Sequence, residues 1–355
     1  MSQHFVINKA KRKYISYSSL PRKTGEKTVI ISSLIFNEAK GGEGMEGEST
    51  AIQILAVPIK TLIRQSKLQV EKLEEIRLRI GQPVWVLYER TPFYLGNDGA
   101  LRKEKKEAYV VTEKDIRETL EYASGFSMYA YEHERRQGYL TIQGGHRIGM
   151  AGKIVMEQGN VKTISDIAML NIRLAHECIG CAKKILPYIK EPEGVVSTLI
   201  LSPPGGGKTT LLRDLIRELA SEQEGYTVGV VDERSELAAC YKGVPQNNLG
   251  VTVDVLDGCS KAEGMRMLLR SMAPDIIAVD EIGSMEDVEA IRQVTNNGCR
   301  LLATIHGSSM EDMRKRHSVK LLMEDNIFQR FVVLDDRYHV GSIKGIYKEY
   351  GKDRV

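Results

Sequence analysis

From Val57, the stretch VPIKTLIRQSKLQVEKLEEIRLRIG repeats apolar residues at helical spacing, then alternates them with charged residues at Ile76, Leu78 and Ile80. The first pattern predicts an amphipathic helix and the second a half-buried strand. PVWVLY reads as another strand and GNDG as a turn. Thr112, three residues before Asp115, is the expected N-cap of a helix through EKDIRETLEYASG. GYLTIQGGHRIGMAGKIVME predicts two strands about a glycine-rich turn. These elements describe a small α+β domain over residues 56–165.

KKILPYIKEPEG, with two prolines and a glycine, then punctuates the chain. Beyond it VVSTLIL, TVGVVDE, DIIAVDE, RLLATIHG and RFVVLD alternate with helical stretches. Their apolar runs are continuous, as in strands buried on both faces, and the alternation with helices predicts a mainly parallel sheet. The expected second unit is thus an α/β domain over residues 185–350, with HVGSIKGIYKEY as a closing hairpin.

Residues 1–52 read as an extension. Seven Lys and Arg stand against Glu26 alone over residues 1–28, and GGEGMEGES follows as a linker. A solvated, disordered tail is the expectation, with contact to anionic lipid or nucleic acid as the alternative. Across all 355 residues the net charge is only +3, which argues against nucleic acid as a partner. No run approaches the ~20 apolar residues of a membrane-spanning helix, and the start lacks a signal-peptide core. A cytoplasmic protein that meets membranes only through partners is expected. The five cysteines suggest no disulfide framework. Cys178 and Cys181 form a C-x-x-C without a second pair to complete a metal site.

The candidate chemistry begins at LSPPGGGKTTLLRD. Strand, glycine loop and helix make the context of a phosphate loop, although the first glycine of the pattern is replaced by Ser202. Backbone N–H groups and the helix N-terminus together cradle phosphate. Ser202, Pro203, Pro204, Gly205, Gly206, Gly207, Lys208, Thr209 and Thr210 are therefore the expected nucleotide-binding run. Lys208 would reach the β- and γ-phosphates of ATP, and Thr209 would ligate Mg²⁺. About seventy residues on, the strand DIIAVDE ends in Asp280, a Mg²⁺ carboxylate, and Glu281, which would polarise the attacking water. TVGVVDERSE ends in Asp232, expected at the nucleotide, and Glu233, a rival general base to Glu281. His306 closes ATIHG on a strand expected beside that of Glu281, as a γ-phosphate sensor. Arg147, Arg173, Arg266 and Arg270 are the candidate cations for charge developing on the transferred phosphoryl group.

In order and type these blocks resemble the secretion ATPase superfamily, with its Walker A, Asp box, Walker B and His box. Asp280 departs from the glycine that many members carry there. Within that superfamily EIRLRIG, GYLTIQGGHRIGMAGK, NIRLA, SPPGGGKTTLLRD, VDERSE, GVPQNNLG, KAEGMRMLLRSMAPD and VDEIG resemble a stage III sporulation family of endospore-forming bacteria, over roughly residues 70 to 335. That family's loop begins Ser-Pro-Pro, whereas Thr252 stands where it has an arginine. The resemblance implies a RecA-like ATPase domain and a hexameric ring, with Arg147 and Arg173 turned towards nucleotide. It also implies a place on the mother-cell side of the forespore membrane, docked on integral membrane proteins of the stage III sporulation channel. A nucleic-acid translocase and a ring component using ATP only for assembly are the rival readings.

Overall fold

The computed structural model describes residues 49–127, 131–335, 341–348 and 353–354. The basic segment before Ser49, and the expectation attached to it, lies outside the described residues. The described residues begin inside the stretch assigned to the extension. Ser49 caps a short helix α1 (Thr50–Gln53) through its hydroxyl, and Ala51 and Ile52 are buried. These four residues belong to the folded unit, because burying Ile52 outweighs the polar run before it.

α2 (Val57–Gln65) buries Ile59, Leu62 and Ile63 and carries Pro58 in its first turn, where a missing N–H costs nothing. After it come β1 (Leu73–Arg79), β2 (Trp85–Tyr88), β3 (Thr91–Leu95) and β4 (Leu101–Arg102). α3 (Glu113–Ala123) starts at the expected Thr112 cap. The Thr112 hydroxyl accepts from Asp115 N at 3.2 Å, and Thr112 N donates back to the Asp115 carboxylate at 2.8 Å. Such a reciprocal box is worth about 1 kcal/mol. α4 (Glu132–Gln137), β5 (Tyr139–Thr141), β6 (Arg147–Glu157) and β7 (Asn160–Arg173) complete this part. The seven strands form one antiparallel sheet in the order β4-β3-β2-β1-β7-β6-β5. β7 runs to Arg173, past the expected boundary at 165, since its ladder with β1 continues from Met169 to Arg173.

A short helix α5 (Leu186–Ile189) and a two-stranded ribbon, β8 (Lys190–Glu191) with β9 (Gly194–Val195), lead into the second sheet. Its elements in chain order are β10 (Thr198–Ser202), α6 (Lys208–Leu219), β11 (Val228–Asp232), β12 (Val253–Asp257) and α7 (Lys261–Ser271). β13 (Ile276–Val279), α8 (Met285–Asn296), β14 (Arg300–His306), α9 (Met310–Arg314), α10 (His317–Glu324) and β15 (Arg330–Asp335) follow. β16 (Ser342–Lys348) and β17 (Asp353–Arg354) end the sheet. The order is β12-β11-β13-β14-β10-β15-β16-β17, parallel as far as β15 and antiparallel thereafter. The closing stretch supplies β16, which pairs antiparallel with its chain neighbours β15 and β17, so the sheet ends in the hairpin pairing expected of it.

Burial explains the continuous apolar runs. Leu199 and Leu201 of β10, Ile277 and Val279 of β13, and Val231 of β11 pack on one face with α7 and α8. Ile200, Ile276, Ala278 and Val230 pack on the other face with Leu211, Leu212, Leu215 and Ile216 of α6. Each strand thus feeds two cores, and the N-terminal sheet has a third, around Ile52, Ile59, Ile76 and Ile148. All described residues lie in one compact unit. The parallel order brings the carboxyl ends of β10, β14 and β13 side by side, the edge where open α/β sheets bind ligands.

Candidate nucleotide site

The loop between β10 and α6 is shaped by close contacts. Ser202 is the last residue of β10, fully buried, and its hydroxyl donates to Pro203 O at 2.8 Å. Its own carbonyl accepts from Gly307 N, after β14, at 3.0 Å. Ser202 keeps ordinary strand geometry, so no glycine is required there. The requirement falls further on. A Cβ at Gly206 would lie 2.2 Å from the Ser202 hydroxyl, and Gly207 caps α6 at φ +92 with no side-chain hydrogen bond to the first turn. The first N–H groups of α6 are left to an external acceptor, and the helix dipole favours an anion there.

Opposite the loop, Asp280 and Glu281 follow β13. The Thr209 hydroxyl donates to the Asp280 carboxylate at 2.6 Å, and the Thr304 hydroxyl donates to its other oxygen. Lys208 Nζ stands 3.5 Å from Asp280 and 3.6 Å from Glu281, with its side chain only 12% exposed. Glu281 also faces His306 Nε2 at 3.2 Å, and the buried His306 Nδ1 meets no hydrogen-bond partner among the described residues. Glu281 adopts φ +63, held there by a 2.8 Å bond from its N–H to the Thr304 hydroxyl. Lys208, Thr209, Asp280, Glu281 and His306 are thus brought together. Thr304 completes the set without having been singled out. Its signal was a hydroxyl inside a buried strand, two residues before His306, where only a polar partner stabilises it.

A cleft of about 400 Å³ adjoins this cluster, lined among others by Glu233, Glu236, Lys261, Asp280, Glu281 and Arg316. One hydroxyl and one carboxylate cannot cage a cation alone. They do suit Mg²⁺, which keeps waters and takes phosphate oxygens. Among the described residues no group of three or more His, Cys, Asp or Glu could hold a metal. Cys178 and Cys181 are free thiols, and burial, with Asp214 and Cys178 nearby, pushes Cys181 up to about 12.

Other expected site residues take different places. Asp232 is 2% exposed, and its carboxylate accepts the main-chain N–H groups of Glu236, Leu237 and Ala238 at 2.8, 3.0 and 2.8 Å. It organises a turn, at a position that also lines the cleft. Burial raises its pKa, against the pull of those three bonds. Glu233 is paired with Lys261. Arg147 lies 3.5 Å from the Tyr139 ring centroid and 3.1 Å from Glu236, and Arg173 pairs with Glu75 at 3.3 Å. Neither arginine touches Lys208, Asp280 or Glu281 within the chain. Arg266 bonds Gln293 at 3.2 Å, and Arg270 stands 3.6 Å from Glu263. Thr252 donates to Tyr226 O at 2.6 Å at the amino end of β12. That is the sheet edge away from the phosphate loop, so within one chain Thr252 contacts no nucleotide there.

Residues 45–354 match the family model described as Sporulation stage III, protein AA. Over 283 residues the chain is 41% identical to stage III sporulation protein AA of Bacillus subtilis, covering 79% of this chain and 88% of that protein. It is 28% identical over 118 residues to type II secretion system ATPase E of Vibrio cholerae, which spans 33% of this chain and 21% of that one. The crystal structure of the pilus retraction motor PilT with bound ADP shares the fold, with a TM-score of 0.51 at 16% identity over 81% of this chain and 78% of that chain. Matched over nearly all of its described length, the chain belongs to the sporulation stage III, protein AA family, and is similar to secretion-system ATPases.

Proposed function

We propose that this chain is a Mg²⁺-dependent ATP hydrolase of the secretion-motor type, working as a hexameric ring in stage III of sporulation. It would energise or assemble a channel between mother cell and forespore, docked on that channel's integral membrane proteins at the mother-cell face. The observation that carries the reading is the convergence of Lys208, Thr209, Asp280, Glu281 and His306 at one sheet edge.

Lys208 exchanges its two carboxylate neighbours for the β- and γ-phosphates, a stronger anion in a poorly hydrated place. Thr209 and Asp280 hold the Mg²⁺, which supplies neutralisation of charge on the phosphate oxygens. Glu281 orients the attacking water and accepts its proton, and His306 reports the γ-phosphate to Glu281. Glu233 is engaged by Lys261 and so is less free to hold the attacking water. Arg173, with a side chain 62% exposed, can serve a neighbouring copy in the ring, whereas Arg147 is occupied within its own chain.

Lys208→Ala is expected to abolish ATP binding in calorimetry. Glu281→Gln should bind ATP normally and lose hydrolysis by about a hundredfold or more, since positioned bases contribute on that order. Wild-type affinity in the alanine variant, or normal phosphate release by the glutamine variant, would falsify the reading.

A further inference from the structure

Arg213 lies on α6, the helix that begins at Lys208, and its guanidinium is mostly withdrawn from water. Its Nε donates to Leu237 O at 3.0 Å and its Nη2 to Glu236 O at 2.6 Å. Among the described residues no carboxylate lies within ion-pair distance of it. Burying such a group is costly unless its donors are satisfied, and here the acceptors are main-chain carbonyls. The same peptides are held from their other side, because Asp232 accepts the N–H groups of residues 236–238. The segment Glu233–Ala238 is thus a strap clamped between the end of β11 and the phosphate-loop helix.

The strap has two further faces. Glu233, Arg234 and Glu236 line the cleft that contains Asp280 and Glu281. On the other side it carries the N-terminal sheet, since Glu236 binds Arg147 at 3.1 Å and Arg234 O accepts from the Tyr139 hydroxyl at 3.4 Å. Gly144 N donates to Gln246 just beyond the strap, at 2.9 Å. Contacts therefore run unbroken from α6 through Arg213, the strap and Glu236 to Arg147 on β6.

We propose that Arg213 is a positioning residue that sets the strap as a wall of the reaction cleft and, through Glu236 and Arg147, links nucleotide occupancy of the phosphate loop to the seating of the N-terminal sheet. The proposal rests on the nucleotide reading above. Lysine carries its three donors on one nitrogen and lacks the rigid fork by which Arg213 reaches two carbonyls from Nε and Nη2, so Arg213→Lys should fall between wild type and Arg213→Gln.

The test is amide hydrogen exchange and steady-state kinetics on the full chain, with Mg²⁺ and a non-hydrolysable ATP analogue. In the wild type the analogue should slow exchange at residues 203–211, 233–241 and 139–149. Arg213→Gln should lower kcat about tenfold with KM within about threefold, a loss of positioning rather than of uniform binding. It should keep the protection at 203–211 and lose the response at 139–149. Glu236→Gln, at the half-exposed end of the link, should lose the 139–149 response alone, and Arg147→Glu combined with Glu236→Arg should restore it. A wild-type response at 139–149 in Arg213→Gln, or a raised KM with unchanged kcat, overturns the proposal. If the wild type binds no analogue, the nucleotide reading fails by itself. The clamp is then decided without ligand, where Arg213→Gln must quicken exchange at 233–241 and 139–149 together, and unchanged rates overturn it.

Discussion

Glu281 stands at φ +63, a left-handed conformation that costs a non-glycine residue about 1–2 kcal/mol. Two truncations isolate that cost. Glu281→Ala and Glu281→Gly both remove the carboxylate and its contacts with His306 and Lys208, so those losses cancel between them. Glycine escapes the left-handed penalty but loses about 0.5–1 kcal/mol more conformational entropy on folding. At the midpoints of those ranges the difference leaves the glycine variant more stable than the alanine variant by about 0.75 kcal/mol. At an unstrained position the order is the reverse. Urea unfolding of the two variants, compared by midpoint at equal slope, measures the difference. The conformation is imposed by the bond from Glu281 N to the Thr304 hydroxyl and by the 2.9 Å bond from Ile282 N to Thr304 O. Both variants should be inactive, and the more stable one shows that strain here serves the placement of a carboxylate. An alanine variant equal to or more stable than the glycine variant refutes the reasoning.

Two further tests concern single contacts. His146 Nδ1 accepts from Ala175 N at 3.0 Å, so the neutral ring carries its proton on Nε2, 3.0 Å from the Ser49 hydroxyl. Burial, aided by the nearby His176, lowers its pKa to about 4 from an ordinary 6.5. The unfolded chain then binds the extra proton first, so this contribution is intact above pH ~6.5 and fades as pH falls towards ~4. Thermal melts of His146→Gln across that range should show a flatter acid limb than the wild type, and parallel limbs would remove the assignment. At the phosphate loop, Gly206→Ala forces a methyl against the Ser202 hydroxyl and should cost about 1–3 kcal/mol, as overpacking does. Adding Ser202→Gly should recover most of that loss, and additive effects in the double variant would show that the two sites do not meet.

Readability in the sequence followed the range over which each feature is decided. The parallel strands were legible because burial on both faces writes itself locally, as in Ile276 to Val279, whose side chains alternate between two cores. Lys208, Thr209, Asp280 and Glu281 were legible because each sits within a few residues of a strand's carboxyl end, and the parallel order then brings those ends together. Residues 49–52 were not legible, since four residues carry no helical period and Ser49 is anchored by His146, 97 positions away. Asp232 and Asp280 look alike as strand-end acids. What separates them is that the chain after Asp232 folds its next three N–H groups back onto the carboxylate, whereas Asp280 meets side-chain hydroxyls from α6 and β14. Arg213 shows the limit most clearly. Its partners are two carbonyls, which have no side-chain signature, so a helix arginine that ties the loop to the rest of the molecule reads in sequence as one more surface charge.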